Sequence, residues 1–81
     1  MKMPRDVSGA ELARALVRFG YQMTRQSGSH MRLTSRRKGT EHHITIPAHT
    51  PLKVGTLSQI LSDVASYLEI TRDQLINELF S

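Results

Sequence analysis

Three side chains that could act together on a phosphodiester lie at alternate positions of one predicted strand: His30, Arg32 and Thr34. Because side chains alternate between the two faces of a strand, all three project from the same face. Imidazole titrates at about pH 6.5, so its neutral form can accept a proton, and a positioned base or acid raises a rate by roughly 10²–10⁴. The pattern fits proton transfer beside a bound phosphate. It fits equally an exposed strand histidine without a role, and spacing alone leaves both interpretations open.

Positive charge is concentrated in the first two-thirds of the chain. The 81 residues contain 11 Lys and Arg against 7 Asp and Glu, a net charge of +4. Residues 1–54 hold ten of the basic side chains and three of the acidic ones, so the remainder is net negative. Arg36, Arg37 and Lys38 are adjacent in a predicted turn, where they could clamp backbone phosphates or form a solvated hairpin tip. The balance favours a polyanionic partner.

Length and composition exclude several classes of protein. A chain of 81 residues cannot hold a doubly wound dinucleotide-binding sheet or a TIM barrel, so we expect one domain over residues 1–81. The absence of cysteine excludes disulfides and thiolate metal sites. No apolar run reaches the roughly 20 residues of a membrane helix, and no apolar signal segment follows the N-terminus. We therefore expect a cytoplasmic protein without a membrane partner.

The motifs give little support to a metal site or to catalysis by a protein nucleophile. His42 and His43 are adjacent in a predicted strand, so their rings should point to opposite faces and cannot easily grip one ion. No Gly-x-Ser-x-Gly elbow is present, and Gly28 and Gly55 are isolated rather than part of a phosphate-cradling loop. We expect no metal and no cofactor.

Capping signals place helices at both ends of the chain. Capping boxes are predicted at Ser8 with Glu11, Thr56 with Gln59, and Thr71 with Gln74. The first box opens a helix that Gly20 should end in a left-handed conformation. The second opens a helix with an apolar stripe, and the third opens an additional C-terminal helix within residues 70–81.

Between the helices the hydrophobic period falls to two. Three short strands are predicted, the last from roughly His42 to Pro47. Alternation in the first strand is expected to place Gln22, Thr24 and Gln26 on one face, with Tyr21 and Met23 on the other. Apolar residues of the later strands share one face that needs a cover: Met31, Leu33, Ile44 and Ile46. The pattern predicts an α+β fold of order α-β-β-β-α, with helices on one face of a three-stranded antiparallel sheet.

Several short motifs recur in the order and spacing of one known family. They are Met3-Pro4-Arg5-Asp6-Val7-Ser8-Gly9, Gly28-Ser29-His30, Ile46-Pro47-Ala48-His49, Leu52-Lys53-Val54-Gly55-Thr56-Leu57 and Ile60-Leu61. Over about residues 3–68 the chain resembles the HicA (YcfA-like) toxins, small prokaryotic mRNA interferases with a double-stranded-RNA-binding-domain-like fold. Each motif is weak alone, whereas their order and spacing together are specific.

The resemblance implies roles and partners. Gly28 and Ser29 match the motif expected to contact RNA, and His30 matches the histidine held to be needed for RNA cleavage. The implied partners are mRNA, a HicB antitoxin that covers the active surface, and operator DNA bound through the antitoxin complex, as part of a stress response. The second helix opens Thr56-Leu57-Ser58-Gln59 where duplex-binding domains carry a lysine cluster, so single-stranded RNA is the expected target.

The preferred hypothesis is a metal-independent endoribonuclease toxin with His30 as general base or acid. Arg32 and the Arg36-Arg37-Lys38 turn would hold phosphates, with Arg25 and Lys53 as outer contributors. RNA supplies its own nucleophile, the 2′-hydroxyl, so the protein need only activate it, stabilise charge and assist the leaving group. The alternatives are a non-catalytic RNA-binding module, in which His30 is incidental, and a domain whose cationic face docks an acidic protein.

Overall fold

The computed structural model describes residues 6–80. Its elements are α1 (Gly9–Leu16), a 3-10 turn (Val17–Phe19), β1 (Gln22–Ser27), β2 (His30–Ser35), β3 (His42–Pro47), α2 (Val54–Leu68) and α3 (Arg72–Phe80). The strands form one antiparallel sheet in the order β1-β2-β3. The predicted α-β-β-β-α arrangement with an additional helix is confirmed. Met3, Pro4 and Arg5 of the first motif lie outside the described residues.

The start of α1 is fixed by its cap and by a close backbone approach. The Ser8 hydroxyl accepts a hydrogen bond from the Glu11 backbone N–H at 3.0 Å, and the Glu11 carboxylate accepts one from the Ser8 N–H at 3.2 Å, which confirms the capping box. A Cβ on Gly9 would lie 2.1 Å from the Pro47 carbonyl oxygen. Only glycine therefore allows α1 to begin against the end of β3.

The helices cover one face of the sheet, which we call the inner face; the opposite side is the outer face. The inner face and the helices share one core of buried side chains: Leu12, Leu16, Met31, Leu33, Ile44, Ile46, Leu57, Ile60, Leu61, Val64, Leu68, Leu75 and Ile76. Fully burying each large aliphatic side chain contributes roughly 1.5–3 kcal/mol relative to leaving it exposed. The inner face is therefore committed to stability, and the outer face is available for binding.

A β-bulge changes the alternation of β1. Met23 pairs with Leu33, but Arg25 pairs with Arg32, so Thr24 is the extra residue between the two pairs. Beyond the bulge Arg25 faces outward with Arg32, whereas Gln26 pairs with Met31 and faces inward. The expectation that Gln26 lies on the outer face with Thr24 is wrong, because one inserted residue reverses the alternation.

The two C-terminal helices differ in how they begin. The Leu57 N–H donates to the Lys53 carbonyl at 2.9 Å, so α2 is already helical before Thr56, and the capping box expected there is wrong. At α3 the predicted box is confirmed, since the Gln74 N–H donates to the Thr71 hydroxyl at 3.0 Å. Leu75 and Ile76 bury α3 against the core. No helix between residues 6 and 80 is both long and apolar enough to cross a membrane.

Candidate functional site

Strand pairing arranges the outer face into three rows of side chains. Residues directly opposite on antiparallel strands share a face and lie close together. The rows are Ser27–His30–Pro47, Arg25–Arg32–Thr45 and Gln22–Thr34–His43. Successive rows are two residues apart along β2, about 7 Å. The outer face therefore runs from one imidazole, past two guanidinium groups, to a second imidazole.

His30 opens β2 directly after a tight turn, and its side chain is exposed as expected. Gly28 supplies the turn with a φ of +57°, a conformation that favours glycine. The Ser29 carbonyl accepts a hydrogen bond of 2.6 Å from the Ala48 N–H, which joins the turn to the loop after β3. The backbone around His30 is thus tied to two elements while its ring is open to solvent.

Arg25 and Arg32 form the middle row, beside His30. Both side chains are exposed and lie opposite each other on neighbouring strands. Like charges at directly opposed positions destabilise a sheet unless an anion lies between them. The bulge at Thr24 creates this pair, and bulges commonly re-aim side chains beside binding sites. The pairing concentrates two positive charges in one row, and a bound anion would relieve their mutual repulsion.

A shallow pocket of about 440 Å³ extends from the arginine pair towards the turn after β2. It is lined by Thr24, Arg25, Arg32, Thr34, Arg36, Glu41 and His43. The Thr24 and Thr34 hydroxyls are 3.0 Å apart, and the Thr34 hydroxyl is 2.8 Å from Nδ1 of His43. These contacts fix the His43 ring, so the pocket has a defined polar lining.

Glu41 joins Arg36 to His43 across the mouth of this pocket. Its Oε2 accepts hydrogen bonds from Arg36 Nε at 2.8 Å and Nη2 at 2.5 Å, and its Oε1 lies 3.2 Å from His43 Nε2. The hydrogen bonds and charge of Arg36 hold the pKa of the Glu41 carboxyl below its usual value. One carboxylate thus contacts nitrogen atoms of both Arg36 and His43.

The structure does not bring all the predicted cations together. The Arg37 guanidinium lies over the Phe19 ring, 5.9 Å from its centroid, and Lys38 Nζ is 3.7 Å from a carboxylate oxygen of Glu69. Lys53 is exposed at the N-terminal end of α2. Only Arg36 of the basic turn contributes to the outer-face pocket, so the turn does not form a single clamp.

His42 belongs to a different cluster, on the inner face. Its Nδ1 is 2.5 Å from the Tyr21 hydroxyl, its Nε2 is 3.1 Å from Asp63 Oδ1, and its ring stacks on Tyr67 at 4.6 Å between centroids. Burial, followed by the charges of Tyr67 and Asp63, raises the pKa of Tyr21. The expectation that His42 and His43 point to opposite faces is confirmed.

Within residues 6–80 no group of three or more His, Asp or Glu side chains is arranged to hold a metal ion.

Reasoning from the sequence identified His30 and Arg32 but did not connect His43, Glu41 and Thr24 to the site. The alternation along β3 already placed His43 outward. The missing information was the strand register, which sets His43 opposite Thr34, and the bulge, which turns Arg25 outward.

Comparison with protein families gives a match to a toxin family. The family described as "HicA toxin of bacterial toxin-antitoxin" matches residues 9–65, from the start of α1 to near the end of α2, leaving α3 outside. No curated protein and no solved structure gives a significant match. Since the family match spans more than half of the chain and includes every outer-face residue described above, the chain belongs to the HicA toxin family of bacterial toxin–antitoxin systems.

Proposed function

We propose that this toxin is a metal-independent endoribonuclease that cleaves mRNA, with His30 as its catalytic residue. The observation that carries the proposal is the exposed His30 ring next to the opposed pair Arg25 and Arg32. Membership of a toxin family supplies the biological setting, in which the protein is one half of a toxin–antitoxin pair.

The reaction suits a site of this size because RNA carries its own nucleophile. The 2′-oxygen forms a bond to the adjacent phosphorus, the bond from phosphorus to the 5′-oxygen breaks, and the products are a cyclic phosphate and a 5′-hydroxyl. One proton leaves the 2′-hydroxyl and one reaches the 5′-oxygen. His30 serves as the base or the acid for one of these transfers.

Arg25 and Arg32 supply the second requirement, which is stabilisation of charge. Negative charge grows on the phosphate oxygens as the phosphorus becomes five-coordinate, and preorganised cations lower the energy of that state. Adjacent rows of the sheet are about 7 Å apart, a distance that the two long arginine side chains can span towards a phosphate at His30. Gly28 and Ser29, in the turn beside His30, are proposed to contact the same RNA segment.

The proposed substrate is single-stranded mRNA in the cytoplasm. The outer face is open, and the N-terminal turn of α2 lacks the lysine cluster with which duplex-binding domains grip phosphates across a groove. We further propose that a HicB-type antitoxin inhibits the toxin by covering the outer face, and that operator DNA is bound through that complex. Arg37, Lys38 and Lys53 lie away from the pocket and are proposed to act as peripheral RNA contacts.

The test compares the wild type with His30→Ala and His30→Asn on an mRNA transcript in the presence of EDTA. Matched circular dichroism spectra and melting temperatures establish that the variants fold. Arg14→Ala, which removes an exposed charge from α1, is the control. We expect wild type and control to cleave, and both His30 variants to be slower by roughly 10²–10⁴.

Two results would overturn the proposal. One is equal cleavage by wild type and the His30 variants, and the other is loss of wild-type cleavage in EDTA. RNA binding without cleavage by any of these proteins would favour a non-catalytic RNA-binding module instead.

A further inference from the structure

We infer that the outer-face pocket is a second phosphate site, which binds a backbone phosphate of the same RNA strand beyond the one next to the cleaved phosphate, and that Glu41 occupies its donor groups when RNA is absent. This inference rests on the proposed function, because it assigns a subsite for the same RNA. It adds two features to that function. Glu41 acts as an autoinhibitory carboxylate, and the RNA strand lies along the outer face between His30 and Arg36.

The position of the pocket separates it from the cleavage site. His43 lies opposite Thr34, four residues along β2 from His30, and this spacing corresponds to about 13 Å. Arg25 and Arg32 lie between the two ends and line the pocket. A phosphate held by Arg36 and His43 is therefore a different phosphate from one placed at His30.

The donors of the pocket match the requirements of a phosphate. The Arg36 guanidinium already presents two N–H groups to a single carboxylate oxygen, and the same planar donors can bind phosphate oxygens. His43 Nε2 donates to the same carboxylate, since an ionised carboxylate can only accept. The Thr34 hydroxyl at Nδ1 keeps the His43 ring in this orientation.

Glu41 behaves as a resident competitor for that phosphate. Both of its oxygens are engaged, one by Arg36 and one by His43, as two oxygens of a phosphate would be. A glutamate is ionised at neutral pH, and the contact with Arg36 lowers the pKa of Glu41 further. The side chain is about half exposed, with a relative accessibility of 45%, so it can rotate into solvent when a phosphate enters.

The charges around the pocket favour exchange of the carboxylate for a phosphate. Arg25, Arg32 and Arg36 contribute three positive charges to its lining, and Glu41 provides one negative charge. Two guanidinium groups remain uncompensated by this carboxylate. An RNA strand can neutralise them with more than one phosphate while Glu41 turns outward.

The test measures binding of a fluorescent single-stranded 2′-O-methyl RNA oligonucleotide, which lacks the nucleophile and is not cleaved. Arg36→Gln should weaken binding about three- to fivefold, the size typical of an exposed ion pair. It should also reduce the dependence of log Kd on log salt by about 0.7, corresponding to one lost phosphate contact. Glu41→Gln should tighten binding by a similar three- to fivefold factor, because it removes the competitor.

Two controls match these variants in charge. Arg14→Gln on α1 removes one positive charge, and Glu78→Gln on α3 removes one negative charge, both away from the outer face. We expect both controls to bind within a factor of about 2 of wild type, since surface charges beyond a Debye length are largely screened.

The inference is overturned if Arg36→Gln and Glu41→Gln bind no differently from their charge-matched controls. Because the probe cannot be cleaved, this outcome is independent of catalysis by His30. Conversely, unchanged cleavage in His30→Ala would defeat the proposed enzyme while the effects of Arg36 and Glu41 on binding persisted.

Discussion

His42 and His43 are neighbours in β3, yet their rings lie in opposite surroundings. On the inner face His42 is held by the Tyr21 hydroxyl, stacked on Tyr67 and bonded to Asp63, and its side chain is only 18% accessible. On the outer face the His43 side chain is 40% accessible and borders an open pocket. The first ring joins β3 to α2, and the second is available to an anion.

The two histidines show that the role of a residue type depends on which face of the sheet its side chain occupies. The inner face combines aliphatic side chains with a fully partnered histidine, and buried polar groups with partners stabilise a particular packing. The outer face has opposed arginines and shared carboxylate contacts, which add little to folding because they are solvated. Stability and the proposed RNA binding therefore depend on different faces of the same strands.

The largest expected difference is in stability, between adjacent residues of β2. Leu33→Ala should lower the free energy of unfolding by about 2–5 kcal/mol, because Leu33 is 1% exposed and its truncation leaves a cavity. Arg32→Ala, on the outer face, should change it by less than about 0.5 kcal/mol. Urea denaturation of both variants measures the change in the free energy of unfolding. Comparable losses in both would show that the outer face also carries the fold.

A smaller difference is expected between the two histidines. His42→Ala should destabilise the protein by about 1–3 kcal/mol, because it leaves the buried Tyr21 hydroxyl without its partner. His43→Ala should cost less than about 1 kcal/mol, since Glu41 is exposed to water and the Thr34 hydroxyl keeps its contact with the Thr24 hydroxyl. Thermal denaturation at neutral pH compares the stabilities of the two variants. If His43→Ala proved the more destabilising, the distinction between the faces would be wrong.

The smallest effect concerns Tyr21 at alkaline pH. Its folded-state pKa is raised by burial, so the neutral hydroxyl contributes stability that is present below the unfolded pKa of about 10 and lost as pH rises further. Tyr21→Phe should cost about 1 kcal/mol at neutral pH and should flatten the decline above pH ~10. Unfolding measured between neutral and alkaline pH checks this; an unaltered decline in Tyr21→Phe contradicts it.

Local signals in the sequence predicted most of the fold. The Ser8 capping box, the Gly20 helix end and the alternation of Met31, Leu33, Ile44 and Ile46 are properties of a few neighbouring residues, and each is confirmed. The start of α2 was missed because a capping pair inside a helix looks the same in sequence as one at its beginning. Short-range patterns identify an element better than its boundary.

The site required information that is not local. His30 and Arg32 share a strand, so their common face follows from alternation. Arg25 was predicted as an outer contributor, but its position opposite Arg32 depends on the bulge, and that of His43 on the β2–β3 register, neither of which is visible in one segment of sequence. Arg37 and Lys38 were grouped with Arg36 by adjacency, although contacts with Phe19 and Glu69 draw them away.

The histidine side chains offer the most direct test of whether RNA binds the outer face. Their imidazole ¹H–¹³C resonances can be followed by NMR during titration with the non-cleavable 2′-O-methyl RNA. The account predicts large shifts at His30 and His43, at the two ends of the outer face, and none beyond the noise at His42. Shifts at His42 as large as those at His30, or an unchanged His30 signal while RNA binds, would contradict it.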